Sequence, residues 1–401
     1  MANIRMSQAV LVQELKDWEF KQTDLDNWMP VKTVPTNVHL DLIANDVIPD
    51  PFLGFNELKC EWVADKSWTY RTKLPDIGPT REGQVHELVF DGLDTFATVK
   101  VNGNVVLESD NMFIPHRIDV TKKLEGGSAN FLEIDFRSAL YEGRKIKDAH
   151  PEHKWVGFNA DMARLATRKA QYHWGWDWGP VLMTCGPWRA VRLETSYARI
   201  SDMRVDYDLN ESLDDVVVRV AVSTERSSET DVKIAIRSDK DLISEKTVTV
   251  DSKGFAKADF HISQPKLWYP YGYGKQPLYT SEGLASVAVN WYKSRMRLAK
   301  PSRPASRKNG TSHGCKPCPC LDNQLTLPVE FGVVEFRDSV EAECVAQVKR
   351  IRHHPSIIIY AGNNEDYQVQ EQCGLTYDYS DKNPENWLKT DFPARYIYEK
   401  V

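Results

Sequence analysis

Hydrophobic and polar positions alternate with a period of two over most of the first 280 residues, as a strand with one buried face requires. Trp68-Thr-Tyr-Arg-Thr-Lys-Leu74 alternates in this way, and so does Asn130-Phe-Leu-Glu-Ile-Asp-Phe136. Phe96 to Leu107 alternates about Asn102-Gly103, a pair that tolerates positive φ and predicts a type I′ hairpin. Only the first twenty residues depart from it: Val10, Leu11, Leu15 and Trp18 fall at helical spacing, which predicts an amphipathic helix ahead of the strands. Short strands with few helical periods between them describe a jelly-roll β-sandwich over residues 1–195.

From about Ser196 a second set begins: Met203–Tyr207, Val216–Val222, Val232–Ile236 and Lys246–Val250, parted by polar turns. Strands of that length suit an immunoglobulin-like β-sandwich over 196–282. The pattern then fails. Between Glu282 and Asp322 there is no acid, while Lys293, Arg295, Arg297, Lys300, Arg303, Arg307, Lys308 and Lys316 stand among Pro, Ser and Gly. With those eight charges removed the chain would carry −14 instead of −6, so 283–327 is compositionally foreign and is expected to be disordered. Order returns over 328–401. Ser339–Arg352 places Val340, Val345, Val348 and Ile351 on one face of a helix, and Pro355 stops it. The apolar run Ser356-Ile-Ile-Ile-Tyr-Ala361 follows, as expected of a strand buried on both faces of a parallel sheet.

Composition narrows the function. With 41% hydrophobic and 27% charged residues and a net charge of −6, the chain is an ordinary folded one, not suited to neutralising phosphate, so no nucleic-acid partner is expected. The N-terminus offers only Ala9–Val12 as an apolar run, too short for a signal-peptide core, and no run approaches a bilayer span, so a cytoplasmic protein without membrane contact is expected. The seven cysteines, an odd number, agree with reduced thiols. His313-Gly-Cys-Lys-Pro-Cys-Pro-Cys320 holds soft ligands, but crowding them into eight residues with two prolines strains tetrahedral closure; neither a metal nor a cofactor is expected.

Two clusters carry chemistry. In Tyr172-His-Trp-Gly-Trp-Asp-Trp-Gly-Pro180, three tryptophans flank one carboxylate. Flat aromatic faces stack on sugar rings, and an aspartate among them accepts paired hydroxyls; the competing reading is a tryptophan-rich core plug with Asp177 capping a turn. The second is Gly362-Asn-Asn-Glu365, placed after a buried strand, where barrel enzymes keep their catalytic groups. Glu365 there suits a general acid, with a solvated loop carboxylate as the alternative.

These segments, together with Phe90-Asp-Gly-Leu-Asp-Thr-Phe-Ala, Pro265-Lys-Leu-Trp-Tyr-Pro-Tyr-Gly-Tyr-Gly274 and Arg352-His-His-Pro, resemble the β-mannosidases of glycoside hydrolase family 2, and among them the intracellular fungal type. The resemblance covers roughly residues 8–280 and 328–401. It implies a sugar-binding-like jelly roll, an immunoglobulin-like sandwich and a (β/α)8 TIM barrel, here partial. It also implies substrates that are β-mannoside oligosaccharides, cleaved at terminal non-reducing mannose with retention. Glu365 would be the acid/base, Asn364 would contact the hydroxyl at carbon 2, and Trp176, Asp177 and Trp178 would close the terminal subsite. Retention requires a second carboxylate about 5–5.5 Å from the acid. None of the acids in the 36 residues after Glu365 carries the nucleophile motif, so none is assigned and the chain is expected to be inactive. A barrel needs about 250 residues, whereas 283–401 number 119, so strands are expected to be missing. The alternative is a non-catalytic carbohydrate-binding fragment.

Overall fold

The computed structural model describes residues 11–298 and 334–400, apart from 127–128, 158–159, 177–178, 227–229, 286–287, 355–356, 358–359, 361–366 and 368–370. The first sandwich is built from β1 (Leu11–Glu14), β2 (Glu19–Gln22), β3 (Met29–Pro30), β4 (Trp68–Lys73), β5 (Val85–Phe90), β6 (Phe96–Val101), β7 (Asn104–Ser109), β8 (His116–Asp119), β9 (Phe131–Arg137) and β10 (Val191–Ser196). They form two antiparallel sheets, ordered β1-β10-β5-β8 and β3-β2-β4-β9-β6-β7. Period two is explicit in β9, where Leu132, Ile134 and Phe136 face inward and their neighbours do not. Between the sheets Tyr70 stacks on Phe20 at 5.5 Å and meets Phe136 edge-on at 5.7 Å. Asn102 and Gly103 hold φ of 50° and 78°, the left-handed pair that a type I′ turn between β6 and β7 demands.

The expected N-terminal helix is not formed: its described part is β1 paired with β10, then β2. Leu15 and Trp18 are buried as that reading required, but in the non-helical connection that carries the chain from one sheet to the other, with Asp17 at φ 56° and the Trp18 indole N–H donating to the Leu15 carbonyl at 3.1 Å. Leu11 and Val12 stay half-exposed, flanking a strand instead of a helical stripe.

The second sandwich comprises β11 (Arg199–Leu209), β12 (Asp215–Glu225), β13 (Asp231–Ser238), β14 (Asp241–Thr249), β15 (Phe255–Ser263), β16 (Tyr279–Ala285) and β17 (Ala288–Met296). Its sheets run β11-β12-β15 and β14-β13-β16-β17. Val216, Val218, Val220 and Val222 on β12 all enter its core. β17 corrects the expectation that disorder begins at 283. Ser294, Met296 and Leu298 point inward while Lys293 and Arg295 face out, so the first basic residues decorate the outer face of a strand. Lys293 pairs with Glu282 at 2.9 Å, and Arg297 lies 4.9 Å over the Trp268 ring. The rest of the basic segment, with His313, Cys315, Cys318 and Cys320, lies outside the described residues.

Helices α1 (Val38–Ala44) and α2 (Ala139–Ala149) belong to the first sandwich, and α3 (Val334–Ile351) follows the second. Helix α3 differs from its expected face. Val340 is buried but Val345 is 47% exposed, and the inward positions are taken by Glu343 and Gln347. The helix binds its neighbour through polar groups, which an apolar stripe cannot reveal. Past Met296 no strand occurs among the described residues. The expected strand at 356–361 falls mostly outside them; its described members Ile357 and Tyr360 are not in a strand, and Tyr360 is 46% exposed. The C-terminal residues instead pack on the first sandwich: Phe392, Ala394 and Ile397 cluster with Val340 and Leu165, and Lys154 pairs with Asp391 at 2.8 Å. No described helix is long and apolar enough to cross a membrane.

Candidate active site

The aromatic cluster sits in the long connection between α2 and β10, a stretch stabilised by buried charge. Asp161 opens it, capping a 3-10 turn over Met162–Ala166 by accepting from the Ala163 N–H at 2.8 Å, and pairing with Arg144 of α2 at 2.7 Å. That turn sends Arg164 inward, where its guanidinium donates to the Gln171 side-chain oxygen at 2.8 Å and its Cζ lies 5.7 Å from the Trp176 ring. Burial lowers the Arg164 pKa to about 10, so it stays charged at neutral pH.

Four residues on, Arg168 and Lys169 point in different directions to different partners. Lys169 is fully buried and donates to Asp94 at 2.5 Å and to the Thr184 carbonyl at 2.7 Å. The Thr184 hydroxyl donates to the other Asp94 oxygen at 2.6 Å and lies 3.1 Å from His173 Nδ1. Its one hydrogen is committed to the carboxylate, so the histidine nitrogen supplies the proton of that contact. Burial, with the Lys169 ammonium adding to it, drops the His173 pKa to about 3 and keeps the ring neutral. This network lies directly beneath the aromatic turn, since the Leu182 N–H donates to the His173 carbonyl at 3.1 Å.

The tryptophans then diverge. Trp174 is buried with Phe96, Ala139, Ala163 and Met183, so the core-plug reading holds for this one ring. Gly175 adopts φ 85°, and a Cβ there would lie 2.6 Å from Val181 Cγ2; only glycine fits both demands. Trp176 emerges half-buried and exchanges two backbone hydrogen bonds with Gly179, at 3.0 and 3.2 Å. Tyr172 beside it is 53% exposed. Of the expected site residues, Trp176 is thus placed as an accessible ring over a buried guanidinium, whereas Asp177, Trp178, Asn364 and Glu365 lie outside the described residues.

The residues flanking Glu365 in sequence are anchored to both sandwiches. Arg168 grips Glu343 of α3 with two bonds at 2.9 and 2.8 Å, Asn111 donates to the same carboxylate at 3.0 Å, and Gln347 donates to the Phe113 carbonyl at 2.6 Å. Where α3 ends, Arg352 forks onto Asp202 of the second sandwich at 2.6 and 2.7 Å. Beyond Glu365, the Tyr367 hydroxyl donates to Glu399 at 2.7 Å and its ring meets Phe392 edge-on at 5.3 Å. A cleft of about 800 Å³ opens where the sandwiches and α3 meet, lined by Asp91, Arg189, Asp202 and Arg350; Trp176 is not among its lining residues.

Sequence reasoning missed Arg164, Arg168, Lys169, Asp94 and Glu343. Three cations in six residues resemble a solvated face. The clue available was their setting in a largely apolar stretch with no acid between Asp161 and Asp177, which calls for distant partners.

Residues 18–189 match the galactose-binding domain-like part of glycosyl hydrolase 2, and 198–282 match glycosyl hydrolases family 2. Over 99% of its length the chain is 41% identical to β-mannosidase B of Thermothelomyces thermophilus, and over 96% it is 40% identical to that of Aspergillus fumigatus. It spans about half the length of these curated relatives, 54% of each. The alignment to the first extends over 469 positions, so the relative carries residues within that span that this chain of 401 lacks. Among solved structures, the β-D-mannosidase of Dictyoglomus thermophilum superposes with a TM-score of 0.78 at 26% identity, covering 98% of this chain and 56% of the other. Both sandwiches match parts of one family, and β-mannosidase relatives align nearly from end to end: the chain belongs to glycosyl hydrolase family 2.

Proposed function

We propose that these 401 residues form the sugar-recognising and proton-donating part of an exo-β-mannosidase, which hydrolyses terminal non-reducing β-D-mannose by retaining double displacement. The observation that carries this reading is the similarity to β-mannosidase B along almost the whole chain. Trp176 supplies a stacking face, held by its bonds to Gly179 and backed by Arg164. Asp177 and Trp178 complete the subsite, Asn364 holds the hydroxyl at carbon 2, and Glu365 protonates the leaving oxygen and then activates water. The nucleophile is assigned to none of the present residues. In this reading Glu365 belongs to a (β/α)8 barrel of which these residues, spanning 54% of the relative's length, hold only a part. No cofactor enters the reaction.

An aryl β-mannoside and an aryl β-galactoside test the reading. The chain alone is expected to release the aryl alcohol from neither. Steady release from the mannoside would place a nucleophile within these residues, and release from the galactoside would overturn the mannose assignment.

A further inference from the structure

We propose that His150, Glu152 and His153 bind one zinc ion at the end of α2, a site that neither the sequence reading nor the family match assigns. His150 caps the helix, its N–H donating to the Lys147 carbonyl at 3.2 Å, and the His153 N–H donates back to the His150 carbonyl at 3.3 Å. This tight turn, with Pro151 inside it, folds three side chains onto one another. Glu152 Oε1 lies 3.2 Å from His150 Nδ1 and 3.3 Å from His153 Nε2, and the three donor atoms all lie within 4.8 Å of one another.

Those distances are what a tetrahedral ion asks for. Zinc–nitrogen and zinc–oxygen bonds of about 2.0–2.1 Å give ligand-to-ligand edges of about 3.4 Å. Two of the three edges already have that length, so binding needs only a small rotation of the imidazoles. Two imidazoles and one carboxylate select a borderline ion over magnesium or calcium, which take all-oxygen shells. The two lysines adjoining the turn in sequence are engaged elsewhere: Lys147 with Asp148 at 2.6 Å and Lys154 with Asp391 at 2.8 Å. Trp155 steadies the turn, donating to the His150 carbonyl at 3.0 Å and meeting the His153 ring edge-on at 6.0 Å. The Glu152 side chain is 57% exposed, which gives the ion a path in and a water its fourth position. The bound ion would fix the start of the connection that leads through Asp161 to Arg164 and Trp176.

The test is a titration of the chelator-stripped chain with zinc, repeated with cobalt as a spectroscopic stand-in. One equivalent is expected to bind. Cobalt should show visible d–d absorption without the near-ultraviolet thiolate band that Cys315, Cys318 and Cys320 would give. Glu152→Gln, at an exposed position, should weaken binding at least about tenfold, and the His150→Asn/His153→Asn double variant should abolish it with far-ultraviolet circular dichroism unchanged. No bound zinc, a thiolate band accounting for all the binding, or unaltered affinity in Glu152→Gln would each overturn the site. If the double variant does not fold, the Glu152→Gln affinity decides.

Discussion

Replacing Lys169 by methionine removes the ammonium and leaves Asp94 as a carboxylate buried without its counter-ion. Lys169 is 0% and Asp94 1% exposed, their contact is 2.5 Å, and only the Thr95 and Thr184 hydroxyls and the His173 ring, 3.9 Å away, would remain beside the charge. Breaking a buried pair on one side costs about 3–5 kcal/mol, which lowers Tm by on the order of 10 °C in a domain of this size. The pH dependence carries a second signature. Burial opposes the charged form of Asp94, but the Lys169 ammonium and the hydrogen bonds outweigh it and hold its pKa below the ordinary carboxylate value. A depressed pKa gives stability that is present above the unfolded-state value and lost as pH falls through the folded one. In Lys169→Met the largest cause of the lowered value is gone and burial is opposed only by His173 and the two hydroxyls, so the Asp94 pKa rises and the variant regains stability on acidification. The gap between wild type and variant should therefore be widest near pH 7 and narrow toward pH 4. Denaturant unfolding of both proteins across that range, followed by tryptophan fluorescence, measures it. A second variant, Lys169→Met with Asp94→Leu, should be more stable than Lys169→Met alone, because no orphaned charge is left. A loss under about 1 kcal/mol at pH 7, or a gap that does not change with pH, would refute the role assigned to this pair.

Glu343→Ala strands the buried Arg168 guanidinium and frees α3, so amide exchange over Val334–Ile351 should accelerate on the order of a hundredfold; unchanged exchange would contradict the docking. Gly175→Ala forces a Cβ to within 2.6 Å of Val181 at φ 85°, and should cost at least about 1–2 kcal/mol and weaken sugar binding; a variant with wild-type Tm and affinity would show that the turn tolerates it. Asp41 is buried, which raises its pKa to about 6 against the hydrogen bonds from Tyr70 and Thr36. A raised pKa gives stability that is full below the unfolded value and lost as pH climbs through 6, so Asp41→Asn should gain on wild type by on the order of 2 kcal/mol between pH 4 and 7. A constant difference between the two pH profiles would argue against it.

The sandwich cores could be read from the sequence because each strand states its own inward face locally. Leu132, Ile134 and Phe136 alternate with polar neighbours, and Asn102-Gly103 names its own turn. Leu15 and Trp18 misled because residues three apart meet on a helix and also in a non-helical connection between strands, and the sequence does not distinguish the two. Residues 293–298 misled through composition: their charges sit at every second position, and the smaller residues between them form the buried face. The aromatic motif around Trp176 stands out in the sequence, but the frame beneath it does not. Lys169 and Asp94 are 75 residues apart, Arg168 and Glu343 175, and no local pattern links either pair. Buried ion pairs are long-range facts, and each partner looks like surface until the other is seen.

The most direct measurement is thermal unfolding of the chain with mannose, galactose and glucose, each in excess over the expected dissociation constant. A ligand bound only by the folded state stabilises it by about 2.7 kcal/mol at one hundred times its dissociation constant. Mannose is expected to raise Tm by several degrees and the other two sugars much less, with the mannose effect lost in Trp176→Ala and Asp177→Ala. No shift with mannose, an equal shift with galactose, or a shift that survives both substitutions would contradict a mannose subsite built on Trp176 and Asp177.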